Sequence, residues 1–185
     1  MDSLFKVNED LMRSIRALFI FTSLLAGPVM AKNEVQTYGY VEKAVLVDKK
    51  VILSAKLDTG AKSASLNATH ITEFDMNGVP HLRFTVPTKD KDYIFECPYI
   101  GKVKIKVRAN EGYPGAVTTP IKRPVVMLTV QLGDKVRSIR VNLTNRKRFI
   151  YPLLLGRDAI IAFDGAVDPA LTFTVKNKSL NENEK

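Results

Sequence analysis

The sequence predicts an all-β domain, either a barrel or a sandwich. Beyond the first thirty residues, apolar side chains recur with period two rather than 3.6. The apolar runs are short. Turn signals separate them at Asp48-Lys49-Lys50, Asn77-Gly78, Asn110-Glu111-Gly112, Gly133-Asp134 and Asp164-Gly165. Regular short strands with such turns are the pattern of a β-barrel or sandwich. The chain has 185 residues, 45% of them hydrophobic and 25% charged, which is ordinary for a soluble protein of one domain.

From the N-terminus, the first segment reads as a leader rather than as part of the fold. Met12-Arg13-Ser14-Ile15-Arg16 is basic, Ala17 to Leu25 is almost wholly apolar, Gly27-Pro28 interrupts, and Val29-Met30-Ala31 ends on a small residue. That order is the signature of a secretory signal peptide. The apolar run from Ala17 to Val29 is 13 residues, and a membrane span needs about 20. The expectation is therefore a signal peptide over 1–31, with Met12 as an alternative start, and no permanent membrane span after cleavage. A barrel domain is expected over 32–175 and a polar, frayed tail over 176–185. Export implies a periplasmic location.

Within the domain, Ala44 to Val47 and Val51 to Leu57 are apolar stretches divided by a charged turn. Leu82, Phe84 and Val86 alternate as one strand face. Val103, Ile105 and Val107 alternate with Lys102, Lys104, Lys106 and Arg108, a strand with one dry and one wet face. Val125 to Leu132 is a longer apolar run that suits a strand buried on both faces. Val136, Ile139 and Val141 with Arg137 and Arg140 suggest another strand, bulged at Ser138. The one helical candidate is short, from Gly156 to Ile161.

The formal net charge is +9, and residues 1–31 carry three basic and three acidic residues, so the excess stays with the domain. It favours acidic partners or substrates. Nucleic acid is not expected, because aromatic residues are not interleaved with the basic ones. Cys97 is the only cysteine, so no internal disulfide forms and the thiol reads as a small buried hydrophobe.

Asp58 is the residue on which the chemistry turns. Val51 to Leu57 is a strand running into Asp58-Thr59-Gly60-Ala61. A carboxylate at a strand end is held rigidly enough for catalysis. Gly60 allows a close turn and Thr59 offers a hydroxyl. About a hundred residues later comes Tyr151-Pro152-Leu153-Leu154-Leu155-Gly156-Arg157-Asp158.

These segments resemble the retropepsin-like aspartic proteases. The nearest resemblance is to a bacterial group that carries the label "ATP-dependent zinc protease" and is related to proteins encoded beside ATP-grasp glutamate ligases. The similarity runs from about Tyr38 to Val175. It rests on Leu57 to Ser65, on Lys122-Arg123-Pro124-Val125, on Asn145-Arg146 and on Tyr151 to Arg157. The resemblance implies a closed acid-protease barrel with a hairpin flap and one short helix, acting on a peptide or protein substrate. It makes Asp58 the catalytic residue and Thr59, Gly60 and Ala61 its loop. Aspartate-driven hydrolysis needs two carboxylates sharing one site. The chain has one such loop, so a homodimer would supply the second. The flap is expected in Asp75 to Lys91.

Lys62 departs from the retroviral pattern, which has an acid there to pair with the arginine corresponding to Arg157. That leaves Asp158, Asp164 and Asp168 as candidate partners for Arg157. Lys62, Ser63, Arg146 and Arg157 are then either substrate-binding, with Arg148 beside them and an acidic peptide as ligand, or braces of the fold. No cofactor is expected. A zinc protease needs a cluster such as H-E-x-x-H, and the chain has only His70 and His81. No phosphate-binding loop is visible. Ser54, Ser63 and Ser65 lie near Asp58 in sequence, but neither histidine has a positional claim to a triad. Two other classes stay open: a non-catalytic barrel that binds a peptide or polymer, and a metal-dependent hydrolase.

Overall fold

The structure is a computed structural model that describes residues 34–105 and 120–177. The expected signal peptide and most of the expected tail lie outside the described residues. In chain order the elements are β1 (Gln36–Leu46), a 3-10 turn (Val47–Lys49), β2 (Val51–Asp58), β3 (Ala64–Asn67), β4 (Thr69–Met76) and β5 (Val79–Pro87). There follow β6 (Asp92–Ile105), β7 (Ile121–Leu132), β8 (Lys135–Thr144), β9 (Leu153–Gly156), α1 (Arg157–Ala162) and β10 (Gly165–Thr172). Among the described residues no helix is long and apolar enough to cross a membrane.

Six strands close on themselves in the order β1-β2-β9-β3-β8-β7. The ring is completed where Ala44, Val45 and Leu46 of β1 pair with Leu132, Gln131 and Val130 of β7. Closure leaves those strands without an open edge. Outside the ring, β10 lies parallel to β1, and β6, β5 and β4 continue from β7.

The alternation seen in the sequence is the alternation of the barrel wall. In β2, Val51, Leu53, Ala55 and Leu57 are buried while Ile52 is exposed and Ser54 and Lys56 are half-buried. Leu82, Phe84 and Val86 are all buried, and Phe84 stacks on Phe95 with ring centres 5.6 Å apart. Cys97 joins this core, and burial pushes its thiol pKa up to about 11. It is a packing residue, not a nucleophile. Tyr38 is buried and donates to the Phe163 carbonyl; burial pushes its phenol up to about 12, so it stays a donor.

Two details differ from the sequence pattern. Val126, Leu128, Val130 and Leu132 face the core, but on the opposite face of β7 Met127 is exposed and Thr129 half-buried. The outer face is covered only toward its ends, at Val125 and Gln131. There is no bulge at Ser138, which pairs in unbroken register with Thr129. Val136 faces out instead, and Arg137 takes the face shared with Ile139 and Val141. Arg137 holds that position because its guanidinium donates to the Ala162 carbonyl and to Asp164.

The fold extends through the start of the expected tail. Asn177 is buried, accepting from the Gly133 amide and donating to the Lys43 carbonyl. Just before it, the segment at 174–175 is clasped by Glu42, which is fully buried. Glu42 accepts from the Gly39 amide (2.7 Å), the Thr174 amide (2.9 Å), the Thr174 hydroxyl (2.5 Å) and the Val175 amide (3.4 Å). A buried carboxylate is tolerated only when so saturated.

Glu42→Ala should therefore destabilise the domain by about 3 kcal/mol in urea unfolding, since it strands several buried donors. A change below about 0.5 kcal/mol would show that the clasp contributes nothing. A second prediction concerns acid. Lys135, by hydrogen bond, and Arg137 hold the Asp164 carboxyl below the usual carboxylate range. A depressed carboxylate stabilises the fold above its unfolded pKa, and that contribution is lost as pH falls through the folded one. Thermal melts of wild type and Asp164→Asn should differ at pH 7, with the variant lower, and converge on acidification. A gap that is independent of pH would contradict the assignment.

Candidate active site

The site is assembled by two strands that meet across nearly a hundred residues of sequence. β2 and β9 run parallel, and Asp58 pairs with Gly156. Beyond Asp58 the chain turns sharply. The Gly60 and Ala61 amides donate to Asp58 Oδ1 at 3.0 and 3.2 Å, and the Ala61 amide also reaches the Asp58 carbonyl at 3.3 Å. The carboxylate thus organises its own loop, as Asx turns do.

The other wall of the turn is the junction of β9 with α1. A Cβ on Gly156 would stand 2.7 Å from the Ser63 carbonyl oxygen and 2.8 Å from that of Ala61, so only glycine fits. The next two amides, of Arg157 and Asp158, donate to the Ala61 and Lys62 carbonyls at 2.9 and 3.0 Å. The Arg157 guanidinium donates to the Thr59 and Gly60 carbonyls at 3.0 and 3.1 Å. Arg157 therefore braces the loop through its carbonyls. Among the described residues none of Asp158, Asp164 or Asp168 forms an ion pair with it, and Asp164 is engaged by Lys135 and Arg137. With Lys62 in place of an acid, the backbone supplies the acceptors.

Asp58 remains accessible, with 29% of its side chain exposed. Lys56 stands 3.6 Å from Oδ2, an exposed pair of little energetic consequence. Thr59 and Gly60 are exposed. The loop presents one carboxylate and a hydroxyl to the outside on a backbone fixed from behind.

Beside the loop lies a cavity of about 730 Å³. Ala61, Lys62 and Ser63 form one side of it, and Val103, Lys104 and Ile105 of β6 with Arg123 of β7 form another. Arg140, Asn142 and Arg146 complete a basic lining in which Asp158 is the single acid among the described residues. Arg146 is 6% exposed, with its Nε donating to the Tyr151 carbonyl and its guanidinium over the Phe149 ring. Arg123 donates to Asn142, whose amide in turn donates to Ser63 and to the Ala64 carbonyl.

The structure thus brings Asp58, Thr59, Gly60 and Ala61 into one loop, with Lys62, Ser63 and Arg146 on the cavity beside it. Arg157 supports that loop from below. Arg148 is exposed and does not line the cavity. Arg123, Arg140 and Asn142 were not singled out from the sequence. Arg123 gave a signal all the same, as a basic residue set in the Lys122-Arg123-Pro124-Val125 motif. Residues 75–91 hold the β4–β5 hairpin, which turns at Asn77-Gly78 as expected for a flap, and none of them lines this cavity. The hairpin strands that border it are β6 and β7, which are joined through residues 106–119, outside the described residues. Among the described residues no group of three His, Cys, Asp or Glu is placed to hold a metal ion. His70 contacts Thr69 and His81 the Val79 carbonyl, both at exposed positions.

Comparison with known proteins agrees with this geometry. A crystal structure of the protein Lpg0085 of unknown function (DUF785), from Legionella pneumophila subsp. pneumophila str. Philadelphia 1, superposes with a TM-score of 0.66. It is 64% identical, and the match covers 77% of this chain and 100% of that one. Three curated relatives bear the name "Probable alpha-L-glutamate ligase". That of Shewanella pealeana is 28% identical over 68% of this chain and 26% of its own length. That of Shewanella halifaxensis is 31% identical over 65% and 25%. That of Desulfotalea psychrophila is 32% identical over 64% and 25%. The chain therefore spans about a quarter of the length of these relatives. The sequence profile of the family described as "RimB-like: Retropepsin-like aspartic endopeptidase RimB" matches residues 37–178. A closed barrel with Asp58 at a strand end, and a match that spans nearly all the described residues, establish that this chain belongs to the RimB-like family of retropepsin-like proteins.

Proposed function

We propose that the chain is an exported aspartic peptidase that hydrolyses peptide bonds through a pair of Asp58 carboxylates in a homodimer. The observation that carries this reading is the Asp58 loop. Its carboxylate is accessible, one oxygen is fixed by two backbone amides, and the loop backbone is held by Arg157.

Two such carboxylates in contact cannot both ionise, so they share a proton. The ionised member takes a proton from water, whose oxygen attacks the peptide carbonyl carbon. The protonated member gives its proton to the carbonyl oxygen. Collapse of the tetrahedral intermediate breaks the C–N bond as the nitrogen is protonated. Thr59, exposed at the same turn, would brace the two loops. Phe149, Ile150 and Ile161 are exposed by 56%, 88% and 71% on the segments flanking β9. A second copy would cover such apolar side chains.

The basic cavity beside the loop supports an acidic, glutamate-containing peptide as substrate. The glutamate-ligase name of the longer relatives is consistent with that chemistry. The leader-like order of residues 1–31 supports export to the periplasm.

Asp58→Asn should reduce hydrolysis of acidic peptides by about a thousandfold, with an unchanged circular dichroism spectrum. Activity that survives the substitution overturns the aspartic mechanism. Activity removed by chelator and restored by zinc would favour a metal hydrolase. Sedimentation velocity should show a dimer in the presence of substrate. A strict monomer that binds peptide without cleaving it would favour a binding barrel.

Arg157→Met keeps the aliphatic stem but removes both donors to the loop. It should lower kcat by about tenfold or more while KM changes little, because misplacement of a catalytic group costs the transition state first. A change confined to KM would instead make Arg157 a substrate contact.

A further inference from the structure

We propose that Arg123 and Arg146 form a carboxylate-binding subsite in the cavity beside the Asp58 loop, seating an acidic side chain of the bound peptide. This rests on the peptidase reading above and specifies which residues select the substrate.

The argument starts from uncompensated charge. Arg146 is almost fully buried. Burial is the main cause that lowers its pKa; the charge of Arg123 adds to it, and that of Asp58 opposes it. Arg123 is likewise pushed down by burial. Two guanidiniums therefore sit close enough to repel one another in a poorly solvated place. The ion pairs among the described residues are Lys56–Asp58, Arg83–Glu96, and Lys135 and Arg137 with Asp164. None involves Arg123 or Arg146. Asp158 lines the same cavity without forming such a pair. A buried cation held without an ion-pair partner is costly.

Donor accounting leads the same way. Arg123 uses Nη1 on Asn142 at 3.4 Å, while its Nε is buried with no partner among the described residues. The Ser65 hydroxyl is also buried without a partner among the described residues, and Ser65 lines the same cavity. Arg146 spends Nε on Tyr151 at 3.3 Å, and its guanidinium carbon lies 4.3 Å from the centre of the Phe149 ring. A brace would be expected to have its donors satisfied, as those of Arg137 are. Here donors are left over among the described residues, on side chains of two residues that line the cavity.

A carboxylate fits these requirements. It brings a negative charge, two acceptor oxygens and a planar shape that matches guanidinium donors. A neutral amide of the same shape supplies one acceptor, no charge, and donors that would face donors. The discrimination expected is thus glutamate or aspartate over glutamine or asparagine.

The test uses the full chain carrying Asp58→Asn and a short Glu/Ala peptide, with each glutamate replaced in turn by glutamine. Binding is followed by calorimetry. One replacement should weaken binding by about tenfold or more, as loss of a charge-assisted pair does. Adding Arg123→Met should reduce that Glu/Gln ratio to within about twofold. In the absence of peptide, Arg123→Met should melt no lower than its parent, because it relieves repulsion against Arg146. A lower melting point together with an undiminished ratio would make Arg123 structural and overturn the proposal.

Equal binding of all the peptides, or no binding of any, would also overturn it. So would inorganic phosphate binding the parent in a manner lost on Arg123→Met, with no Glu/Gln discrimination. Failure of the peptidase reading would look different: wild type would not cleave the Glu/Ala peptide, while the binding ratio and its loss in Arg123→Met persisted.

Discussion

The structure depends on one close approach, that of Gly156 to the backbone at Ala61 and Ser63. Parallel pairing of β2 with β9 sets Asp58 opposite Gly156, and the missing side chain lets the two segments touch. Once in contact, the amides of Arg157 and Asp158 find the carbonyls of Ala61 and Lys62. The Arg157 guanidinium then reaches Thr59 and Gly60. A side chain at 156 would collide with backbone, which has little room to yield. The short helix, the brace and the posture of the carboxylate are all consequences of that contact.

This dependence explains what could be read from the sequence. Asp58 at the end of an apolar strand was legible because alternation and the turn residues are local. The alternation of Leu82, Phe84 and Val86 was legible for the same reason. The pairing of Arg157 was not, since its partners are carbonyls 97 and 98 residues away and carry no side-chain signature. Ser138 misled because Val136 and Ile139 break the period of two. The conflict is resolved by Asp164 and the Ala162 carbonyl drawing Arg137 to the inner face. The unmatched donors of Arg123 came to light only in three dimensions. A lysine–arginine pair on a strand otherwise reads as a solvated face.

The two halves of the site are organised on opposite principles. Around Asp58, donors and acceptors are matched, and rigidity follows. In the adjoining cavity they are not, and the excess is of one sign. Preorganised charge of that kind lowers the stability of the empty protein while raising its affinity for the right ligand, a trade common at functional sites. The domain's positive charge would act over longer range, raising the local concentration of an acidic ligand before contact, and salt should weaken that contribution first.

Both ends of the described domain lie along β1. Gln36 at its start pairs with Gly165, and Asn177 hydrogen-bonds to Lys43 further along the same strand. The Glu42 clasp ties the last segment down from within. A domain whose entry and exit share one strand can be carried inside a longer polypeptide as a self-contained cassette, because flanking sequence need not thread the barrel. Architectures that join such a barrel to a larger catalytic partner then require only a linker, with no rearrangement of the six-stranded ring.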